Sequence, residues 1–413
     1  MPFIKFKFRQ NHISIGFLGI SVHVPLFYSL INNVRKKRYL KNLARIQNKK
    51  VIKVAFLVSE PSKWGYQSIY DTMAKDKRFE PFVLVHDIMA LYNGKNYYTS
   101  LKKCYDFFKQ NKIKVKYAYN KNHIPYDDFD ILFYQQPYGL DNFYCPFNIS
   151  RYAITCYCPY GFELSQQSAS YMEEFHRWID FVFVPTKGQL EYTLNISKKI
   201  NNCYLVGYPK LDIYRTIKNK KLKKPIIIYA PHHSFEKHGL SFATFQWNGS
   251  KILEIAKKHP EFDYVFKPHP RFKYAAIANN IMTDKEVDNY YKQWEKIGKI
   301  YEGGDYIDLF KNSSALITDC SSFLGEYLPS GHPVLHLISE NAKFNDFAKS
   351  FISGYYQIHN EQQLSDIFNR VIVNGDDYKK SERLNKIQIV FNEYISASDS
   401  IIKLLNNKLT GKA

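Results

Sequence analysis

The sequence predicts an α/β chain with two Rossmann-like domains facing a cleft. From residue 51 onward, short apolar runs alternate with helical segments, the pattern of βαβ units on a parallel sheet. The alternation occurs twice, broken by a turn-rich and then lysine-rich stretch around residues 206–224. With 413 residues the chain is long enough to fill two cores.

Residues 1–50 precede this pattern and contain eleven Lys and Arg but no Asp or Glu. Between the basic groups lies ISIGFLGISVHVPLFYSLIN, Ile13 to Asn32, long enough for a bilayer span yet carrying serines, His23, Pro25 and Asn32. Three readings stand: a span, a membrane-surface or re-entrant anchor, or a hairpin packed on the body. No A-x-A site ends the segment, which argues against a cleaved signal peptide. In either membrane reading RKKRYLKNLARIQNKK faces anionic lipid.

VIKVAFLV (51–58) reads as a buried parallel strand. A helix at 66–75, FVLV (82–85), a helix near 97–110, KVKYAY (114–119), DILFYQQ (130–136), RYAITCYC (151–158) and DFVFVPT (180–186) complete a first domain, 51–206. VGYPKLDIY interrupts the rhythm, and TIKNKKLKKP reads as a solvated linker within 207–224. The second domain, 225–377, runs through PIIIYAP (225–231), a helix at 249–259, DYVFKPHP (263–270), a helix near 285–296 and KIYEG (299–303). A helix at 306–312, ALITD (315–319), a helix near 322–328 and PVLHL (333–337) follow. The segment 378–413 is helical and crosses back toward the first domain.

Aromatic residues make up 17% of the chain, which excludes a disordered composition. The six cysteines are scattered apart from Cys156 and Cys158, and a C-x-C pair alone makes no zinc site; they read as reduced cytoplasmic thiols. A net charge of +20 calls for an anionic partner. No helix-turn-helix, zinc-finger or RNA-binding motif directs that charge to nucleic acid.

Ligands of open α/β sheets bind beyond the carboxyl ends of the strands. ALIT ends in Thr318 and then Asp319-Cys320-Ser321-Ser322, where the next helix offers free N–H groups. Ser321 and Ser322 either cap that helix or hold a phosphate there. IIIYAP ends at His232 and His233, and YVFKPHP ends in Lys267, His269 and Arg271. His269 is held between two prolines, and Lys267 and Arg271 are natural phosphate partners. Glu326, one turn beyond Ser322, is either a ligand for sugar hydroxyls or a surface carboxylate.

YAP, GYPKLD, KPHPRF and LITDCSSFLGEYLPSGHPVLHL, in this order and spacing, resemble the CDP-glycerol glycerophosphotransferase family of teichoic-acid and capsule polymerases, which has a two-Rossmann (GT-B) architecture. The resemblance spans roughly residues 51–368, with Cys320 where the family's strand–Asp–x–Ser–Ser signature usually has an aromatic. It implies transfer of glycerol phosphate from a CDP-activated polyol to a glycan or polyol-phosphate acceptor, with release of CMP. It implies no nicotinamide or flavin, and a cytidine diphosphate bound against Ser321, Ser322, Lys267 and the His269 turn. It also implies peripheral attachment to the cytoplasmic face of the bacterial inner membrane.

The family's first-domain histidine is missing: the matching turn, CYCPYGFEL, has Tyr160 and Gly161. A base with a pKa near neutrality is then sought at His269, His232 or His233; His269 has a second and favoured reading as a phosphate ligand that donates to the departing CMP. The site expected is therefore His269, His232 and His233 as catalytic groups, with Lys267, Arg271, Thr318, Asp319, Ser321, Ser322, Glu326, Tyr160 and Gly161 against substrate. No metal is demanded, although Mg²⁺ bridging the diphosphate is compatible. Two other functions fit the pattern: a GT-B glycosyltransferase using a nucleotide sugar, and a non-catalytic polymer-binding subunit of a membrane complex.

Overall fold

The computed structural model describes residues 5–9, 12–17, 20–25, 28–86, 89–92, 95–98, 101–118, 128–140, 143–166, 175–196, 201–236, 239–302, 306–391 and 396–411. The ends of KVKYAY and KIYEG lie outside these residues.

The apolar runs fold into two parallel sheets. The first joins β4 (Ile52–Val58), β5 (Phe79–Val85), β8 (Val115–Tyr117), β9 (Ile131–Tyr134), β10 (Ile154–Tyr157), β11 (Phe181–Val184) and β12 (Cys203–Leu205) in the order β12-β11-β10-β9-β4-β5-β8. The second joins β13 (Ile226–Ala230), β14 (Asp263–Phe266), β15 (Lys299–Ile300), β16 (Ala315–Thr318), β17 (Val334–Leu337) and β18 (Tyr356–Ile358) in the order β15-β14-β13-β16-β17-β18. All pairings in both sheets are parallel. Strands buried on both faces explain why they read as continuous apolar runs.

Several elements differ from the sequence reading. Lys95–Tyr98 is β7 of a hairpin with β6 (Met89–Tyr92), and the helix expected near 97 begins at Leu101. Strand β12 and the helices Lys187–Ile196, Pro209–Thr216 and Phe272–Ala278 are additional. The last helix, Ala397–Thr410, places Ile401, Leu405 and Leu409 in the first sheet's core beside Val54 and Phe56. Asp212 fixes its start by accepting bonds from the N–H groups of Ala397 and Ser398.

The basic N-terminal segment is structured. Lys5–Arg9 (β1), His12–Phe17 (β2) and Ile20–Pro25 (β3) form an antiparallel sheet, followed by the helix Tyr28–Gln47. Among the described residues no helix is long and apolar enough to cross a membrane. Tyr28–Gln47 docks on the first domain. Ile31 and Ile46 are buried, and the Asn42 amide donates to the Ser150 and Ala153 carbonyls. Arg45 and Lys49 pair with buried Asp130 at 3.0 and 2.7 Å.

Part of the basic charge is thus committed to the protein body, and removing residues 1–50 strips a packed helix. Burying one isoleucine contributes about 1.5–3 kcal/mol. A chain starting at residue 51 should therefore be less stable than one starting at residue 28 by at least about 3 kcal/mol in urea unfolding. Equal midpoints would show that the helix contributes nothing.

Candidate active site

The carboxyl ends of β13, β14 and β16 meet the first domain across a cavity of about 270 Å³ and a narrower recess of about 50 Å³. His232, His233, His269, Arg271, Cys320, Ser321 and Ser322 line the cavity from the second domain; Lys63, Tyr138, Tyr160, Gly161, Glu163 and Ser165 line it from the first. Lys267, Tyr306, Phe323 and Glu326 line the recess.

The three histidines expected from the sequence are brought together, with ring centroids 3.8 Å apart for His233 and His269 and 4.4 Å for His232 and His233. The backbone sets the tautomer of two of them. Ser234 N–H donates to His232 Nδ1 at 3.2 Å, and Arg271 N–H donates to His269 Nδ1 at 3.1 Å. A backbone N–H can only donate, so each Nδ1 carries the lone pair and each Nε2 carries the hydrogen. Burial lowers the His232 pKa to about 3 and holds His233 and His269 below the usual histidine range, with neighbouring imidazoles and Arg271 adding to the effect. His232 and His269 are therefore neutral N–H donors, suited to anionic oxygens. Of the two roles the sequence left open for His269, base or donor to a departing phosphate, this geometry suits the donor.

The same geometry answers the metal question. His232, His233 and His269 are the one cluster among the described residues with ligand atoms close enough for an ion, within 4.8 Å. A ligating histidine usually donates its second N–H to an acceptor. Here two of the three accept instead, so the cluster fits an anion and not a metal.

Cations surround these donors. Lys267 is buried at 4% exposure, its Nζ 4.6 Å from the Tyr306 ring centre and 5.4 Å from those of Tyr301 and Phe323. Among the described residues it makes no ion pair, and burial lowers its pKa to about 8. Glu326 on the same recess pulls that value up from beyond ion-pair distance, and a desolvated ammonium so placed suits an anionic ligand. Arg271 reaches across the cleft to Glu60 at 3.0 Å, and Glu60 also holds Lys63 at 3.1 Å. Burial pushes the Glu60 carboxyl up, but Lys63 and Arg271 outweigh it and leave it below the ordinary range.

Other expected residues have different places. Thr318 and Asp319 are buried behind the cavity wall. Thr318 donates its hydroxyl to the Ala230 carbonyl. Asp319 accepts His232 N–H at 2.6 Å and both Thr244 N–H and its hydroxyl at 2.7 and 2.8 Å; burial raises its pKa to about 6. These two hold the loops. Ser321 and Ser322 line the cavity as the first residues of the helix Ser321–Tyr327, whose N-cap is Cys320 with no side-chain cap bond, so the plain serine-cap reading fails. Glu326 is no surface carboxylate: it is buried, 3.1 Å from Lys210, and accepts from the Tyr306 hydroxyl. Gly161 serves a close approach, since a Cβ there would lie 2.9 Å from Glu326 Oε1 and 3.1 Å from Ser322 Cβ. Tyr160 lines both chambers, its hydroxyl 2.8 Å from that of Tyr138.

Glu60, Lys63, Tyr138, Glu163, Lys210 and Tyr306 were not anticipated. Glu60 and Lys63 had a readable signal: they follow VIKVAFLV directly, at the carboxyl end of a parallel strand.

Two parallel-sheet domains enclosing a phosphate-compatible cleft define a GT-B-type fold, and solved structures share it. The S. aureus MnaA–UDP co-structure is 15% identical, with 87% of this chain and 97% of that chain covered and a TM-score of 0.57. A putative UDP-N-acetylglucosamine 2-epimerase from Listeria monocytogenes is 14% identical (88% and 98% covered, TM-score 0.58). The wall teichoic acid polymerase TagF, as a variant soaked with CDPG, is 12% identical (92% and 94% covered, TM-score 0.58). No curated protein matches the chain by sequence. The sequence model of the CDP-glycerol:poly(glycerophosphate) glycerophosphotransferases matches residues 161–399, and the chain belongs to that family. It is a glycerophosphotransferase that uses CDP-glycerol.

Lys267 yields a pH test. Its folded pKa of about 8 lies below the usual lysine value, so the ammonium is intact at pH 7 and is lost as pH rises through 8. An anion favours the protonated form, so a ligand whose phosphate touches Lys267 takes up a proton above that pH. Affinity measured by calorimetry should be flat from pH 6.5 to 7.5 and fall above pH 8, approaching about tenfold per unit. Lys267→Met should bind weakly with no such fall; a wild-type profile in that variant would exclude Lys267 from the site.

Proposed function

We propose that residues 225–377 bind the CDP-activated donor and that residues 51–206 present the acceptor, with 207–224 joining them. The observation that carries this is the Lys267 ammonium, without an ion pair among the described residues, on the same cleft as two imidazoles held as N–H donors. Lys267, Arg271, His232 and His269, with Ser321 and Ser322 at the helix start, are the groups that would hold the diphosphate. An acceptor hydroxyl on a glycan or polyol phosphate attacks the phosphorus bearing the glycerol, and CMP leaves. Such a transition state is loose, so catalysis rests on positioning and on donors aimed at the departing phosphate. His269, whose N–H does not titrate near neutrality, is suited to that second task.

We further propose that the enzyme works at the cytoplasmic face of the inner membrane. The charge of residues 1–50 supports this, as does the register of β1–β3. That register puts Phe6, Phe8, Ile13, Ile15, Val22 and Val24 at one set of paired positions and Lys5, Lys7 and Arg9 at the alternate set. Paired positions that alternate between apolar and basic residue types suit an anionic lipid interface.

His269→Ala should lower the rate of CMP release by roughly a hundredfold or more, as loss of a preorganised donor does. His269→Gln, still a donor, should retain more activity than His269→Ala. Wild-type turnover in the alanine variant would remove His269 from the mechanism. For the membrane, the full chain should sediment with phosphatidylglycerol vesicles and not with phosphatidylcholine vesicles, and a chain beginning at residue 28 should lose most of that binding. Undiminished sedimentation of the shortened chain would refute the role of the sheet.

A further inference from the structure

We infer that Glu60 is a positioning residue for the transfer: it aims the Arg271 guanidinium from the opposite wall of the cleft, and in doing so weakens donor binding. The inference rests on the donor assignment above, in which Arg271 holds the diphosphate, and deepens it. Glu60 belongs to the first domain, two residues beyond the end of β4, and Arg271 to the second. The Glu60 carboxylate lies 3.0 Å from Arg271 and 3.1 Å from Lys63, so one acid is shared by two cations. Lys63 and Arg271 both line the main cavity. A carboxylate here lowers the positive potential that draws in a diphosphate, so affinity alone gives no reason for it. Separating two buried cations is one task for such an acid; the way it is held points to a further one.

The carboxylate is fixed from its own domain. Gln135, just beyond β9, clamps the Glu60 backbone. Its Oε1 accepts the Ser59 and Glu60 N–H groups at 3.0 and 3.3 Å, and its amide donates to the Glu60 carbonyl at 2.8 Å. Pro61 then opens the turn Pro61–Lys63, which carries Lys63 back to the same carboxylate. Gln136 holds Lys63 in turn, accepting from its ammonium at 2.9 Å. Arg271 is tied at both ends: its backbone N–H donates to the His269 ring, and its guanidinium reaches Glu60. A planar fork held at one nitrogen presents its other donors in a fixed direction. The walls do not depend on this pair to stay together, because Asn345 and the Ser165–Phe344 bridge join them separately. Glu60 therefore acts on the direction of Arg271 and not on the assembly of the cleft.

Wild type, Glu60→Gln, Glu60→Asp and Arg271→Met would be compared with CDP-glycerol as donor and a poly(glycerol phosphate) oligomer as acceptor. Glu60→Gln should bind CDP-glycerol more tightly, its calorimetric Kd falling about threefold or more as the negative charge is removed. Its kcat for CMP release should fall about tenfold or more, since Arg271 loses its aim. A merely structural residue would not tighten binding while slowing turnover. Glu60→Asp keeps the charge with a shorter reach, so its Kd should stay within about twofold of wild type while kcat falls. An unchanged or weaker Kd in Glu60→Gln, or a wild-type kcat in that variant, overturns the proposal. Should Glu60→Gln fail to fold, a wild-type kcat in Glu60→Asp overturns it alone. Arg271→Met separates the two readings. If it binds CDP-glycerol as well as wild type, the donor assignment of Arg271 fails and the role of Glu60 falls with it. If it binds more weakly while Glu60→Gln behaves as wild type, Glu60 alone is refuted.

Discussion

A single buried carboxylate organises the cleft. Asp319 lies at the end of β16 and takes hydrogen bonds from the His232 N–H of the β13 loop and from Thr244 ahead of the helix Phe245–Lys258. Backbone groups stranded in a dry interior cost about 1–3 kcal/mol each, so these loops have strong reason to meet at this carboxylate. With His232 anchored, Ser234 N–H reaches its Nδ1. On the neighbouring strand, His269 N–H bonds to the Pro231 carbonyl, and Arg271 N–H then reaches the His269 ring. The stacked imidazoles follow from this frame.

The charge arrangement across the cleft is a second consequence. Burial keeps the imidazoles neutral, so they donate hydrogen bonds without adding to the repulsion among Lys63, Lys267 and Arg271. Two of those cations share Glu60, which makes the approach of the domains part of the site's electrostatics. Lys267 is left to an aromatic cage, a milder environment for a desolvated ammonium than an apolar wall. Of these three cations Lys267 is thus the one without an ion pair among the described residues.

The domains are also joined mechanically. Gly161 and Gly325 allow the first-domain turn to sit directly on the helix Ser321–Tyr327, and Asn345 and the Ser165–Phe344 bridge tie that turn down. The final helix returns to the first core, and the helix Tyr28–Gln47 covers another part of that domain. Elements distant in sequence therefore brace the wall that faces the donor.

The sequence by itself determined the two parallel sheets and the strand ends that carry His232, His233, Lys267, His269, Arg271, Ser321 and Ser322. Apolar runs and turn residues are local signals, and the carboxyl-end rule turns them into a site without further information. One element escaped for a local reason, since β12 is short and only partly buried, and among the three readings of Ile13–Asn32 composition could not choose the hairpin that β2 and β3 form. Tertiary structure alone decided the chemistry of the groups. Whether a histidine is a base or a donor depends on which backbone N–H meets its Nδ1. Asp319 and Glu326 are exposed or buried according to partners far along the chain. Glu60 meets Arg271 across 211 residues, and Lys210 meets Glu326 across 116. Protonation and hydrogen bonding are properties of surroundings in space, and no spacing in the sequence encodes them.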